Sequence, residues 1–314
     1  MPSEQAAAIT AQLAALQAEI MGSGVRPSLD ERRTAVDSFG DYGVPAEGVE
    51  TSRVELGSCS ALWHEPVGRE DGPVLVHFHG GGLAMGSAHG WRNLAGHLAA
   101  ASGAAVLNVD FRRAPEHPFP AGREDARAAY DWLLEQGRRP GEIFLGGDSA
   151  GAGLALGTAR ALRDEGGASV GGVYLLSPWI DFTLANPSLT GRAGVDVLTS
   201  KAALEMMRGF YAPGHDPADP RISPGLGELA GLPPLHVEAS RDEILLDDAV
   251  RLAERAEASG VEVDLVLWEG VPHVHQLFVG NLPEADEAVQ LIARWVRAKA
   301  PDVVSGAAGE SRSG

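Results

Sequence analysis

One serine of this chain lies in a sequence context that is typical of a catalytic nucleophile. Ser149 is the centre of a Gly-x-Ser-x-Gly pattern at 147–151, preceded by an apolar, strand-like run at 142–146 and followed by a helical pattern at 152–163. A serine on a tight turn from strand to helix projects its hydroxyl, and the glycines beside it lack a Cβ that would collide with neighbouring elements. The N–H of Ala150, at the start of the helix, then faces the point where an oxyanion forms. We therefore predict that Ser149 is a catalytic nucleophile.

A second copy of the pattern, at 167–171, has the opposite context. A helical segment precedes Ser169, and an apolar run at 172–176 follows it. Because a serine nucleophile of this type needs the strand before it and the helix after it, this copy is predicted to be a helix-to-strand connection. Its context favours an ordinary loop serine.

A serine nucleophile requires a histidine base and an acid that orients the base. Two histidines, His273 and His275, follow the last strand-like run, and two acids, Asp242 and Glu243, follow the run before it. Side chains that follow neighbouring parallel strands meet at the same edge of a sheet. The chain order serine, acid, histidine is one that serine hydrolases use. The residues alone leave the choice within each pair open.

Three consecutive glycines follow an early strand, in the run His79-Gly80-Gly81-Gly82. Such a run lets a backbone approach a substrate closely and offers N–H groups as donors. Alone it is more typical of a glycine-rich turn, but beside a serine nucleophile it indicates an oxyanion hole. Neither Gly-x-x-x-x-Gly-Lys-Ser/Thr nor Gly-x-Gly-x-x-Gly follows a strand here, so a phosphate-binding loop is not predicted.

Strand-like and helical patterns alternate along most of the chain, which predicts a parallel sheet covered by helices on both faces. Two helices, over 4–21 and around 29–38, precede the first buried strand, and Ser3 is placed to cap the first of them. A proline-rich excursion with one helical piece, at 200–211, interrupts the alternation after residue 183. Residues 301–314 are small and polar and are predicted to be disordered.

Together the motifs resemble the hormone-sensitive-lipase-like branch (bacterial family IV) of the α/β-hydrolase esterases. Besides the serine and glycine motifs, the resemblance rests on 110–116, Ser177-Pro178-Trp179, 231–235 and 270–273, in the family's order over about residues 70–280. It implies an α/β-hydrolase fold with a mostly parallel central sheet and a small helical cap. It also implies a base at His273 and oxyanion donors at the N–H groups of Gly81, Gly82 and Ala150.

The resemblance further implies how the chain is divided. Residues 1–45 are expected to form N-terminal cap helices, and 46–300 the catalytic domain. The excursion over 183–225 is expected to contribute to the cap. Because this cap is modest, the substrates are expected to carry short or medium acyl groups.

The acid motif departs from the family pattern. The family usually has Asp-Pro-Leu-x-Asp, whereas residues 242–247 read Asp-Glu-Ile-Leu-Leu-Asp. Aligning the leucine and the second aspartate on Leu245 and Asp247 places Glu243 at the first aspartate, so we predict Glu243, not Asp242, as the triad acid. Asp247 is expected to cap the next helix. The motif also resembles that of monoterpene lactone hydrolases, which makes a lactone an alternative substrate.

Composition limits the partners. The net charge of −18 argues against nucleic acid and anionic membranes. A single cysteine, Cys59, excludes an internal disulfide and a cysteine zinc cluster, and the histidines show no metal-ligand spacing. No targeting pattern or membrane-spanning run is visible. We expect a cytoplasmic protein without metal or cofactor, whose partner is a small ester or lactone. The sequence leaves open whether it forms a homodimer.

The function predicted from these residues is carboxylic ester hydrolysis by acyl transfer through Ser149, His273 and Glu243. A lactone hydrolase or an amide-cleaving deacetylase with the same triad is the alternative among enzymes. A non-catalytic ligand receptor of the same fold would lack the catalytic histidine. The presence of His273 argues against a receptor function.

Overall fold

The central element is an eight-stranded sheet with the strand order β1-β2-β4-β3-β5-β6-β7-β8. The computed structural model describes residues 2–22, 27–69 and 72–300, and the tail at 301–314 that was predicted to be disordered lies outside them. β1 pairs antiparallel with β2, and β2 with β4, while all the other neighbours are parallel. The strands are β1 (Val49–Glu55), β2 (Ser60–Pro66), β3 (Val74–Phe78), β4 (Ala105–Asp110), β5 (Ile143–Asp148), β6 (Gly172–Leu176), β7 (Leu235–Ser240) and β8 (Val263–Trp268).

Helices connect the parallel strands, and further helices precede the first strand and follow the last one. Those in the described residues are α1 (Glu4–Gly22), α2 (Leu29–Asp37), α3 (Arg92–Ser102), α4 (Ala121–Glu135), α5 (Ala150–Asp164), α6 (Ser188–Gly191), α7 (Lys201–Tyr211), α8 (Leu246–Ala258) and α9 (Pro283–Lys299). Short 3-10 turns cover Ser38–Tyr42, Pro140–Glu142, Pro224–Leu226 and His275–Phe278. None of the helices described has the length and apolar character needed to cross a bilayer.

Each face of the sheet buries its own core. Val76 and Leu75 are neighbours on β3, and both are fully buried, but they belong to different apolar clusters. Successive side chains of a strand point to opposite faces, so one strand serves both cores. The cluster of Val76 includes side chains of α4, α5 and α8, and the cluster of Leu75 includes side chains of α3 and α9. This confirms the predicted α/β-hydrolase layering, with helices on both faces of the sheet.

The N-terminal segment is fixed to the last helix. Ser3 Oγ accepts a hydrogen bond from the N–H of Ala6 at 3.0 Å, which is the predicted cap of α1. The backbone N–H of Ser3 donates to Glu284 at the start of α9, at 2.6 Å. α2 begins with a capping box in which Glu31 Oε2 accepts from the N–H of Ser28 at 2.7 Å. These caps satisfy N–H groups that a helix start otherwise leaves without partners.

The predicted N-cap role of Asp247 is wrong. α8 begins at Leu246, and Leu245 occupies its cap position. The Asp247 carboxylate instead accepts a hydrogen bond from the N–H of Ser188 at 2.8 Å, across 59 residues of sequence. Asp247 therefore ties the 183–225 excursion to α8, which a local helix-start pattern cannot reveal.

Candidate active site

Ser149 lies on the sharp turn that joins β5 to α5. Its backbone has φ 51° and ψ −123°, in the region that non-glycine residues rarely adopt. A Cβ on Gly147 would stand 2.5 Å from the carbonyl oxygen of Phe78, and one on Gly151 would stand 2.0 Å from the same atom. Only glycine fits at both places, because β3 passes so close to the turn. The local strain and the flanking glycines agree with a turn built to present a nucleophile.

The structure brings Ser149, His273 and Glu243 into one hydrogen-bonded chain. His273 Nε2 lies 3.1 Å from Ser149 Oγ, and His273 Nδ1 lies 3.0 Å from Glu243 Oε2. With its proton on Nδ1 donated to Glu243, the imidazole leaves Nε2 free to accept from the serine hydroxyl. Ser149 and His273 are each 8% exposed, and Glu243 is 1% exposed. The arrangement suits proton transfer from the serine to the histidine.

Several carboxylates act on the His273 imidazole. Burial lowers the pKa of His273, but the hydrogen bond and the charge of Glu243 raise it, and the charges of Asp196 and Asp148 raise it further. The combined effect of the carboxylates is larger than that of burial, so the pKa of His273 stands above its ordinary value. A histidine so placed holds a proton more readily than a free imidazole does.

The loop that carries His273 is held by two serines at the ends of neighbouring strands. Ser177 Oγ, just after β6, accepts a hydrogen bond from the N–H of Val274 at 3.1 Å. Ser240 Oγ, at the end of β7, donates to the carbonyl of Val271 at 2.6 Å. The motif that contains Ser177 was part of the family resemblance, but sequence analysis gave this serine no role.

Asp242, the alternative acid, has a different hydrogen-bond partner. Its Oδ2 accepts a hydrogen bond from the N–H of Gly270 at 2.9 Å, at the start of the histidine loop. It makes no hydrogen bond to His273 in the described part of the chain, whereas Glu243 does. The geometry thus separates two neighbouring acids that the residues alone did not.

The glycine run 80–82 lies beside the serine turn. Gly81 and Gly82 have φ values of +100° and +66°, and a Cβ on Gly81 would stand 2.4 Å from the carbonyl oxygen of Met85. The N–H of Gly80 donates to Asp148 Oδ1 at 3.0 Å, which ties the glycine run to the serine turn. Gly81 and Gly82 line the same cavity as Ser149, and Ala150 is the first residue of α5.

A cavity of about 160 Å³ opens onto these groups. Ser149, Asp148, His273, Gly81 and Gly82 are among the residues that line it. Much of the remaining wall is apolar and comes from outside the sheet, from Val36 and Phe39 near the N-terminus and from Leu198, Leu204 and Met207 of the excursion. Larger open clefts of about 480 and 500 Å³ lie elsewhere, and none of the predicted site residues lines them.

The second histidine of the loop has another environment. His275 is buried, its ring centroid lies 5.0 Å from that of Trp268, and burial lowers its pKa to about 4. Among the residues described, no three His, Cys, Asp or Glu side chains are grouped so as to hold a metal ion. His275 packs against Trp268 as an aromatic side chain, and of the two histidines in the loop it is His273 that bonds to Ser149.

The sequence of this chain matches a known family. Residues 75–277 match a protein family described by its alpha/beta hydrolase fold. The chain belongs to the α/β-hydrolase family. The match covers the glycine run, the serine turn and the histidine loop.

Relatives of this α/β-hydrolase include proteins named as an acetyl-hydrolase and as esterases. It is 41% identical over 273 residues to an acetyl-hydrolase of Streptomyces hygroscopicus, covering 86% of this chain and 90% of that protein. It is 37% identical over 223 residues to an esterase of Acinetobacter venetianus, covering 71% of this chain and 74% of the other. The crystal structure of an esterase from the bacterial hormone-sensitive lipase family superposes with a TM-score of 0.89 at 36% identity, covering 96% of this chain and 100% of the other. The predicted relation to that branch is confirmed, and the protein is a carboxylesterase-type enzyme.

Two polar residues of the excursion escaped the sequence analysis. Asp196 and Ser188 are 8% and 6% exposed, and both bond to the backbone of Ile244 beside Glu243. No periodicity or motif marks them, because the excursion around them lacks regular alternation. Only the fold shows which distant backbone groups they satisfy.

Proposed function

We propose that this α/β-hydrolase cleaves short- and medium-chain carboxylic esters by acyl transfer through Ser149. The observation that carries the proposal is the buried chain of hydrogen bonds from Glu243 through His273 to Ser149, facing a small apolar cavity. A nucleophile, a base and an orienting acid in this order are what acyl transfer requires.

Each group has one task in the proposed reaction. Ser149 Oγ attacks the ester carbonyl carbon while His273 Nε2 takes the hydroxyl proton, and the carbonyl oxygen becomes an oxyanion. The N–H groups of Gly81, Gly82 and Ala150 donate to that oxyanion, each contributing roughly 3 kcal/mol to the transition state. Collapse breaks the bond to the alcohol, which takes the proton from His273. Water then attacks the acyl-enzyme in the same way, releasing the acid and restoring the serine.

We also propose that residues 1–45 and the 183–225 excursion form a cap over the site. The proposal is supported by the cavity wall, to which Val36 and Phe39 contribute from the first segment and Leu198, Leu204 and Met207 from the second. A wall of this kind excludes water from the reacting ester, which strengthens every electrostatic contact inside.

The enzyme should prefer butyrate over palmitate esters. A cavity of about 160 Å³ is smaller than the roughly 300 Å³ at which sites for drug-sized ligands begin, so the extra methylenes of palmitate would stay in water. Two relatives support a preference for short acyl chains. The Streptomyces protein is named an acetyl-hydrolase, and crystals of EstE5, 34% identical with a TM-score of 0.88, were soaked with p-nitrophenyl butyrate. The measurement is kcat/KM for the two p-nitrophenyl esters in the same mixed micelles. A higher kcat/KM for palmitate would contradict the proposal.

A panel of substrates tests the reaction itself. The same residues could open a lactone or cleave an acetamide, so purified protein should be assayed on p-nitrophenyl esters, several lactones and an acetylated amine side by side. The proposal requires the highest kcat/KM on an ester. Faster turnover of a lactone would reassign the enzyme as a lactone hydrolase, and turnover of none would refute catalysis.

The pH profile should report the raised pKa of His273. The base must be neutral to accept the serine proton, and its pKa is raised, so the protonated, inactive form persists to higher pH than for a free histidine. We expect kcat/KM to fall on the acid side with a midpoint above about 6.5, the ordinary histidine value. The measurement is kcat/KM for p-nitrophenyl butyrate across the neutral range, corrected for spontaneous hydrolysis. A midpoint below the ordinary value would mean that burial outweighs the carboxylates.

A further inference from the structure

The backbone beside the acid Glu243 is held from the cap. The N–H of Ile244 donates to Asp196 Oδ2 at 2.9 Å, and its carbonyl accepts from Ser188 Oγ at 2.7 Å. Ser188 Oγ also accepts from the N–H of Asp247 at 3.1 Å. Asp196, Ser188 and Ile244 are all buried, so little water competes for these bonds. The N–H and the carbonyl of Ile244 are therefore both fixed by one segment, which lies 48 to 56 positions earlier in the sequence.

The same carboxylate also shapes the cavity wall. Asp196 Oδ1 accepts hydrogen bonds from the N–H of Leu198 at 2.9 Å and of Thr199 at 2.8 Å. Leu198 and Thr199 line the cavity that contains Ser149. Asp196 thus bonds through Oδ1 to the part of the cap that lines the cavity, and through Oδ2 to Ile244, the residue after Glu243.

We infer that Asp196 is a positioning residue that couples the seating of the cap to the geometry of the triad. This inference rests on the proposed function, because it takes Glu243 as the triad acid. A glutamate has one more rotatable bond than an aspartate and loses more rotamer freedom when it is fixed. Clamping the backbone of Ile244 from both sides restricts where the Glu243 carboxylate can reach. When the cap is displaced, the clamp opens and Glu243 loses its alignment with His273.

Asp196 also acts on His273 by its charge. The carboxylates around the imidazole are Glu243 in direct contact, Asp148 at the end of β5, and Asp196 of the cap, and each raises the pKa of His273. Asp242 faces the same region, because it lines a cavity of about 30 Å³ together with Asp196 and His273. Neutralising Asp196 should therefore lower the pKa of His273, whereas a purely structural contact would leave it unchanged.

Asp196→Asn tests the coupling. The amide oxygen of asparagine can accept from the cap N–H groups or from Ile244, but not from both sides, and its NH₂ then faces a donor. We expect kcat for p-nitrophenyl butyrate to fall about tenfold, KM to stay within about twofold, and the acid limb of kcat/KM to move to lower pH. The matched control is Asp242→Asn, which removes a carboxylate from the same small cavity without touching Ile244. It should keep kcat near the wild-type value.

The kinetics of Asp196→Asn, a second variant and NMR separate the outcomes. A rise in KM with kcat and the acid limb unchanged would show that Asp196 only shapes the cavity wall, and would overturn the inference. If Asp196→Asn does not fold, Ser188→Ala removes the other hydrogen bond that holds the backbone of Ile244, and it should also lower kcat at unchanged KM. A wild-type kcat in Ser188→Ala would overturn the inference. In Asp196→Asn, faster amide exchange at Ile244 and a lower pKa of His273, both measured by NMR, would support the coupling. They would do so even if the wild type hydrolysed no ester, because that result would refute only the proposed function.

Discussion

Ser149→Ala should lower kcat for p-nitrophenyl butyrate by as much as ~10⁶-fold. Ser149 Oγ lies 3.1 Å from His273 Nε2, and no alanine atom can replace it as a nucleophile. The N–H groups of the glycine run would remain and would still bind a developing oxyanion, so a small residual rate above that in water is expected. The same variant should lose covalent labelling by a fluorophosphonate. An unchanged melting temperature would show that the loss is chemical.

The matched control is Ser169→Ala. Ser169 is the centre of the second Gly-x-Ser-x-Gly pattern, but it lies between α5 and β6, and its Oγ donates to the carbonyl of Val170 at 3.1 Å. This variant should keep wild-type kcat and full labelling. Peptide mapping of the wild type should find the adduct on Ser149. An adduct on Ser169, or none, would remove the basis of the assignment.

The site was predictable where its residues follow strands directly. The serine turn follows β5, the glycine run follows β3, and the two acids and the His273 loop follow β7 and β8. In a parallel sheet the carboxyl ends lie along one edge, so the alternation of strands and helices already implies that these motifs meet. This prediction followed from the order of the motifs along the chain and required no knowledge of side-chain contacts.

The contacts that hold these groups were not predictable, because they join distant parts of the chain. Ile244 bonds to Asp196 across 48 residues, and Asp247 bonds to Ser188 across 59. The sheet order was hidden for the same reason: β4 lies between β2 and β3, so neighbours in space are not neighbours in sequence. Local periodicity carries no information about such pairs.

Gly146 shows how one long-range contact can explain a residue that a motif does not require. It stands one position before the Gly-x-Ser-x-Gly pattern, within β5. A Cβ there would lie 2.0 Å from the ring of Tyr174 on the neighbouring β6. The hydroxyl of Tyr174 lies 3.0 Å from His77 Nδ1, and His77 Nε2 lies 3.2 Å from Asp148. The ring crosses β5 to reach this buried polar chain, so the strand beneath it must lack a side chain.

Glu243→Gln should lower kcat by as much as ~10⁴, the loss expected when a triad loses its orienting acid. The Glu243 carboxylate accepts from His273 Nδ1–H at 3.0 Å and is 1% exposed, so its charge acts on the imidazole with little screening. A glutamine can offer its NH₂ to Nδ1 and thereby favour the tautomer that carries its proton on Nε2. That tautomer cannot accept the proton of Ser149. Glu243→Asp keeps the charge but shortens the side chain, so it should retain more kcat than the glutamine variant.

Asp242→Asn is the control that decides between the two neighbouring acids. Asp242 accepts a hydrogen bond from the N–H of Gly270 at 2.9 Å, and an asparagine oxygen can accept the same bond. We therefore expect kcat within about twofold of the wild type, since neither the triad nor the histidine loop loses a partner. Both variants should be assayed on p-nitrophenyl butyrate at the pH of maximal activity, with melting temperatures measured alongside. A large loss in Asp242→Asn with near wild-type kcat in Glu243→Gln would transfer the role of triad acid to Asp242, and would mean that the loop shifts by one residue in the working enzyme.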